Sequence, residues 1–592
     1  FLKYTLATIT GIIVVSLLTF FLFLGIISAV VATSSKDVTI KNNSVLLLDL
    51  NAQITDRASN DPFQNLDIPL FPGSKKIGID NILDAIDKAK TEDKIKGIYI
   101  RTENIGTSYA NCEEIRRALI DFKVESGKFI YAYSENFSQK AYFVVSAADK
   151  IFINPEGMLL FTGIASQHEF YKKGLEKLGV EMQVIRHGKF KAAVEPFMLE
   201  KMSAENRNQV ETYIGSIWNS VLNGISQTRG ISVEKLNAIA DQNMMFTPAK
   251  EYYNLNLVDS VLYEDQVLDI LREKTGTKPN KEINAHTISD MKSLVKERKE
   301  KGLAKDKIAV IYAAGEIVMS SSSSMSSADE IVGPGLAKEI RKARTDSTIK
   351  AIVLRINSPG GSALASELIW REVKLAQQAK PVVVSMGGLA ASGGYYIACA
   401  ADTIVADATT LTGSIGVFGL VPNINELFED KLGINTEVVK TNKLSDMPML
   451  YRAMSTNEKA LMQNMVENVY STFVNHVAEG RGLSYEQVDE IGQGRIWTGA
   501  NAKEIGLVDV LGDLNDAIKI AEELSGLEHY RLVKLPKMKD PFEELMGSFS
   551  SQMKMKVLTR ELGSAARYYQ TLQQLSNTSG ILARLPQDIN VE

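Results

Sequence analysis

Pro381-Val-Val-Val-Ser-Met-Gly-Gly-Leu-Ala-Ala-Ser-Gly-Gly-Tyr-Tyr396 is the stretch whose reading decides the fold. The β-branched run Val382-Val-Val384 predicts a buried strand. Small residues follow, then Ser392 in Ala-Ala-Ser-Gly-Gly, then an apolar, Ala-rich segment that predicts a helix. A tight glycine-flanked turn between a strand and a helix can present a serine as a nucleophile. Glycine lets a substrate carbonyl approach the backbone, and a helix start favours developing negative charge. A plain Gly-rich turn would read the same way, so the surrounding chain has to decide.

The chain has 592 residues, enough for several domains. With 45% hydrophobic residues, 23% charged residues and a net charge of −5, it is ordinary globular protein and shows no footprint for nucleic acid. Its two cysteines, Cys112 and Cys399, lie far apart and outside any metal-ligand spacing, which predicts two core residues and no disulfide. Its five histidines all lie far from Ser392 in sequence, so nothing points to a Ser-His-Asp triad.

Residues 4–35 carry no charge, and their apolar core over residues 9–31 is long enough to cross a bilayer. A cleavable signal peptide would have a shorter apolar region, so residues 1–35 read as an uncleaved transmembrane anchor. Lys3 on the short side predicts a cytoplasmic end, with the bulk of the chain across the membrane.

The remainder repeats itself. Lys94-Ile-Lys-Gly-Ile-Tyr-Ile-Arg101 matches Ile349-Lys-Ala-Ile-Val-Leu-Arg355, and Ser146-Ala-Ala-Asp-Lys-Ile-Phe-Ile153 matches Cys399-Ala-Ala-Asp-Thr-Ile-Val-Ala406. Leu257-Val-Asp259 matches Leu507-Val-Asp509. The spacing stays at about 250 residues, which marks one duplicated domain and no short-repeat solenoid. Strands and helices alternate in each half, which predicts an α/β fold with a mainly parallel sheet. The division expected is a first repeat at 43–285, a charged linker at 286–306, a second repeat at 307–525 and a tail at 526–592. Residues 289–305 read as a charged helix and the serine run 320–324 as a mobile loop. In the tail, Tyr530-Arg-Leu-Val-Lys-Leu535 reads as a strand, and residues 541–575 as an amphipathic packing or subunit-contact face.

Superposing the repeats separates their chemistry. Ser392 falls opposite Gln139, and Gly393-Gly394 opposite Lys140-Ala141. Asn357-Ser-Pro-Gly-Gly-Ser362, whose glycines can present N–H groups to an oxyanion, falls opposite Glu103-Asn-Ile-Gly-Thr-Ser108. Conversely, Lys191 in Arg186-His-Gly-Lys-Phe-Lys-Ala-Ala-Val-Glu-Pro-Phe197 falls opposite Ser445. Each half holds what the other lacks, so one site could form between a serine and a lysine. A desolvated, neutral lysine is a competent general base. Lys189 lies two residues away, and periodicity does not choose between it and Lys191.

With Gly188-Lys-Phe-Lys-Ala-Ala-Val-Glu-Pro-Phe197, Asn357-Ser-Pro-Gly-Gly-Ser362, Ser385-Met-Gly-Gly-Leu-Ala-Ala-Ser-Gly-Gly-Tyr395 and Leu411-Thr-Gly-Ser-Ile-Gly-Val-Phe418 in order, the chain resembles the signal peptide peptidase A (protease IV) family in its long, duplicated bacterial form. The resemblance covers nearly the whole chain. It implies two tandem Clp-protease/crotonase-like domains behind the transmembrane helix. It implies a serine endopeptidase of the bacterial inner membrane, single-pass, with its soluble part periplasmic, degrading signal peptides after their release. By motif position Ser392 is the nucleophile and Lys191, chosen over Lys189, the base. Ser414 orients the lysine, and Gly361 and Gly393 supply oxyanion N–H groups. The resemblance further implies a homotetramer shaped as a bowl over the membrane. Neither metal nor organic cofactor is expected. Two other readings fit the same superfamily: a crotonase-like acyl-CoA enzyme, and a non-catalytic membrane scaffold. The complementary losses argue against the scaffold.

Overall fold

The computed structural model describes residues 2–34, 39–57, 76–242, 244–294, 304–321, 330–448, 450–538 and 581–585. Two parallel sheets dominate it. The first runs in the order Ser260–Val261, Lys150–Ile153, Phe129–Ser134, Ile95–Arg101, Ser44–Asp49, Asn284–Thr287. The second repeats that order as Val510–Leu511, Thr403–Ala406, Val382–Ala391, Ile349–Ser358, Lys307–Ala314, Arg531–Leu535. The sequence repeats therefore fall on equivalent strands. Near-continuous burial along Ile349–Ser358 and Val382–Ala391 is what a parallel sheet covered on both faces requires.

Val382–Ala391 runs well past the β-branched triplet that signalled it. Its last three residues, Leu389, Ala390 and Ala391, pair with Leu411–Gly413, which pairs in turn with Ile496–Thr498. This extension carries Ser392 beyond the edge of the first part of the sheet.

A third sheet joins the halves. Its order is Glu330–Val332, Glu316–Val318, Gly360–Ser362, Ile581–Arg584, Phe418–Asn423, Glu181–Arg186. The last pair is antiparallel, with Phe418 opposite Arg186, so a first-half strand is hydrogen-bonded to a second-half strand. Ion pairs fasten the same seam. Arg355, 1% exposed, meets Asp56 at 3.1 Å and Glu114 at 2.6 Å, and Arg117 meets Asp407 at 2.9 Å and Asp513 at 2.6 Å.

Leu2–Ser34 is one helix, but among the described residues no helix is long and apolar enough to cross a membrane, and most of its side chains beyond residue 19 lie outside the described residues. In the linker, the short helix Ile288–Ser293 is capped by Thr287, and residues 295–303 lie outside the described residues. Most of the serine run, and all of the stretch 541–575, lie outside them too. The tail strand appears as Arg531–Leu535, an edge of the second sheet.

Candidate active site

Ser392 stands at the junction of Val382–Ala391 and the short helix Gly393–Ala398, fully buried, with φ 56° and ψ −114°. A non-glycine residue held there costs about 1–3 kcal/mol and persists only where neighbours impose it. Its N–H donates to the Gly413 carbonyl at 2.8 Å, which fixes the turn from the next strand.

Lys191 arrives from the other half. It follows the strand Glu181–Arg186, whose pairing with Phe418–Asn423 aims the loop at the second half. Phe190 N–H donates to the Gln493 carbonyl at 3.0 Å. Gln209 donates to the Phe190 carbonyl at 3.1 Å and accepts from Ile496 N–H at 3.2 Å. Glu195, buried, is held by Asn206 Nδ2 at 2.9 Å and by the Ser203 hydroxyl.

So positioned, Lys191 is 1% exposed, with Nζ 2.7 Å from Ser392 Oγ. Nζ is also 3.1 Å from Ser414 Oγ and 3.3 Å from the Ser414 carbonyl oxygen. Burial pushes the lysine pKa well below its ordinary value, because the charged form loses its hydration. Ser414 is itself at positive φ, 50°, its N–H bound to the Arg495 carbonyl at 2.7 Å. Lys189 is exposed, its Nζ over the Phe190 ring, so the structure places only Lys191 against the serine.

The two glycine motifs also converge. A methyl group placed on Gly360 would lie 2.6 Å from the Gly393 backbone nitrogen, so the Pro-Gly-Gly turn abuts the residue after Ser392. Gly360 N–H is engaged by Ser358 Oγ at 3.1 Å, which leaves Gly361 as the turn's other candidate donor beside Gly393.

In the first half a glutamine stands at the matching place. Gln139, buried there, donates to Tyr109 Oη at 2.8 Å and the Gly163 carbonyl at 3.1 Å, and accepts from Thr162 and Gly163 N–H. Ser445, opposite Lys191, is exposed. Cys112 and Cys399 are both free and buried.

Sequence reasoning missed Gly494. It has φ 85°, and a methyl on it would lie 2.7 Å from Lys191 Cα, so only glycine lets the lysine backbone pass. Gln209 and Glu195 were missed as well. The Glu-Pro-Phe end of the lysine motif contained the one available signal, since a buried glutamate needs partners.

A buried serine on a strained strand-to-helix turn, facing a desolvated amine, is the arrangement of a serine hydrolase. A sequence model of peptidase family S49 matches residues 123–278 and 374–528, and one of Clp protease matches residues 297–410. Protease 4 of Salmonella typhi is 38% identical over 82% of this chain and 79% of its own length. Protease 4 of Haemophilus influenzae is 32% identical over 85% and 83%. The chloroplastic serine protease SPPA of Arabidopsis thaliana is 30% identical over 92% and 78%. The chain belongs to peptidase family S49 and is a serine protease with two such domains in a mixed α/β fold.

Proposed function

We propose that this protein is a membrane-anchored endopeptidase that uses a Ser392–Lys191 dyad to degrade released signal peptides and similar apolar segments. The observation that carries the reading is the 2.7 Å approach of Nζ to Oγ with both residues buried. A neutral amine has two N–H groups and one lone pair. The N–H groups face the Ser414 hydroxyl and carbonyl oxygens, which leaves the lone pair for the Ser392 hydroxyl.

Lys191 takes the Ser392 proton as Oγ bonds to the peptide carbonyl carbon. Gly361 and Gly393 N–H groups receive the oxyanion. The C–N bond then breaks as the lysinium returns its proton to the leaving amine. Water, deprotonated by Lys191, attacks the ester, and its hydroxyl stays on the new carboxyl group. Serine leaves with the proton.

The sequence supports the anchor, because residues 4–35 carry no charge and their apolar core over residues 9–31 is long enough to cross a bilayer. This segment would hold the enzyme in the bacterial inner membrane with its soluble part periplasmic, close to apolar peptides leaving that membrane. Assembly as a homotetramer belongs to the same reading.

A serine-directed phosphonate label tests the site. It should modify the peptide containing Ser392 in the wild type and leave K191A unlabelled. Labelling elsewhere, with peptidase activity lost, would refute the dyad.

A further inference from the structure

The strand Ile581–Arg584 lies between the two motif-bearing edges of the site. It pairs antiparallel with Gly360–Ser362, Ala583 opposite Gly361, and with Phe418–Asn423, Leu582 opposite Phe418. An extended peptide held on both sides by main-chain hydrogen bonds is the form in which sheet-edge grooves take peptides.

Its register centres on Ala583. A methyl on Gly360 would lie 2.1 Å from the Ala583 carbonyl oxygen, and one on Gly393 would lie 3.1 Å from it. That carbonyl therefore sits in the glycine-lined corner beside Ser392. The Ala583 side chain is fully buried, which leaves space for a small residue only. Leu582 packs with Ala193, Val194 and Phe418, next to the lysine loop.

Beyond the carbonyl the chemistry changes from apolar to charged. Arg584 Nη1 donates to Glu316 Oε1 at 2.7 Å, with side chains 12% and 24% exposed. Glu316 starts the strand Glu316–Val318, and Glu330 is its register partner on the neighbouring strand Glu330–Val332. Two acidic residues thus stand side by side where the residue after the cut would extend. No active-site step uses either.

We propose that Glu316 is a specificity-determining residue that reads a basic side chain immediately after the scissile carbonyl, and that the chain's own Leu582-Ala583-Arg584 shows how such a peptide lies. The groove would then take an extended apolar peptide with a small residue at the cut and Lys or Arg next. The inference rests on the Ser392–Lys191 reading above.

The test uses the full-length protein and two synthetic peptides containing Ile-Leu-Ala-Arg-Leu or Ile-Leu-Ala-Glu-Leu, with cleavage after Ala followed by mass spectrometry. A charged hydrogen bond in a part-buried place should make kcat/KM on the order of tenfold or more higher for the Arg peptide. In E316Q that ratio should fall towards one, and in E316K it should invert. The same preference in E316Q as in the wild type would overturn the assignment of Glu316. Equal cleavage of both peptides by the wild type would overturn it too, with the dyad left standing. If S392A and wild type behaved alike on both peptides, the peptidase site itself would fall.

Discussion

Lys191 Nζ lies 2.7 Å from Ser392 Oγ although 201 residues separate them, and each comes from a different repeat. Neither half holds both residues. The duplication has been divided so that the second half keeps the strained serine turn and the first half supplies the amine.

On the proposed dyad, replacing either member should be equally damaging, because the two would act as a unit. S392A and K191A should each lower kcat/KM by on the order of 10,000-fold or more, and the double variant should be no worse than either. K189A should keep nearly all activity, since Lys189 is exposed. Peptide cleavage assays on purified, folded variants check all four.

The buried amine sets the pH response of both activity and stability. Activity should fall with acidification as Lys191 gains its proton, and burial, by lowering its pKa well below the ordinary lysine value, keeps the base form present to lower pH than in an exposed lysine. For stability the sign is the reverse of an ordinary ion-paired lysine. The unfolded chain binds this proton up to about pH 10.4 and the folded chain does not, so burial costs stability below that value and the cost shrinks as pH rises. K191M should therefore raise stability at pH 7 by about 1 kcal/mol, with the gain fading in alkali. Thermal melts across pH read it.

Ser414 holds the lysine by two contacts, one from its hydroxyl and one from its carbonyl. S414A removes only the hydroxyl. It should reduce kcat about tenfold with little change in KM, the value of one net hydrogen bond at the transition state.

Gly494 should tolerate no side chain. G494A would force a methyl against Lys191 Cα at positive φ. A displacement of the amine by about 1 Å costs about 100-fold in rate. Steady-state kinetics together with a folded circular dichroism spectrum would separate this from unfolding.

Across the seam between the halves, Arg355 neutralises Asp56 and Glu114 in a buried place. R355L should destabilise the protein by about 3–5 kcal/mol, because two carboxylates would stay buried without their cation. Denaturant unfolding measures it. R355L combined with D56N should recover part of the loss.

Much of the fold could be read locally. The β-branched run 382–384 and the repeated segment 349–355 became central strands, and the tail segment 530–535 appears as the edge strand Arg531–Leu535. Local signals sufficed because strand and helix periodicity is written in neighbouring residues. The continuation of Val382–Ala391 through two glycines was not legible. Gly-Gly reads as a turn, and the strand resumes beyond it because Leu389–Ala391 pair with Leu411–Gly413 and Ala390 with Ser358. The tail strand Ile581–Arg584 carried no signal strong enough to place it, since four residues gain their meaning from the edges that flank them.

By itself, the sequence determined the duplication, the α/β class and the identity of a serine and a lysine that could share a site. It could not choose between Lys191 and Lys189 on periodicity, because both lie in one short irregular loop. Only the tertiary structure separates them, through a cross-half strand pairing and Gly494, which bury the Lys191 amine beside Ser392 and leave Lys189 exposed. The physical reason is desolvation. A lysine becomes a base only where the whole fold removes its water, and no stretch of sequence taken alone specifies that.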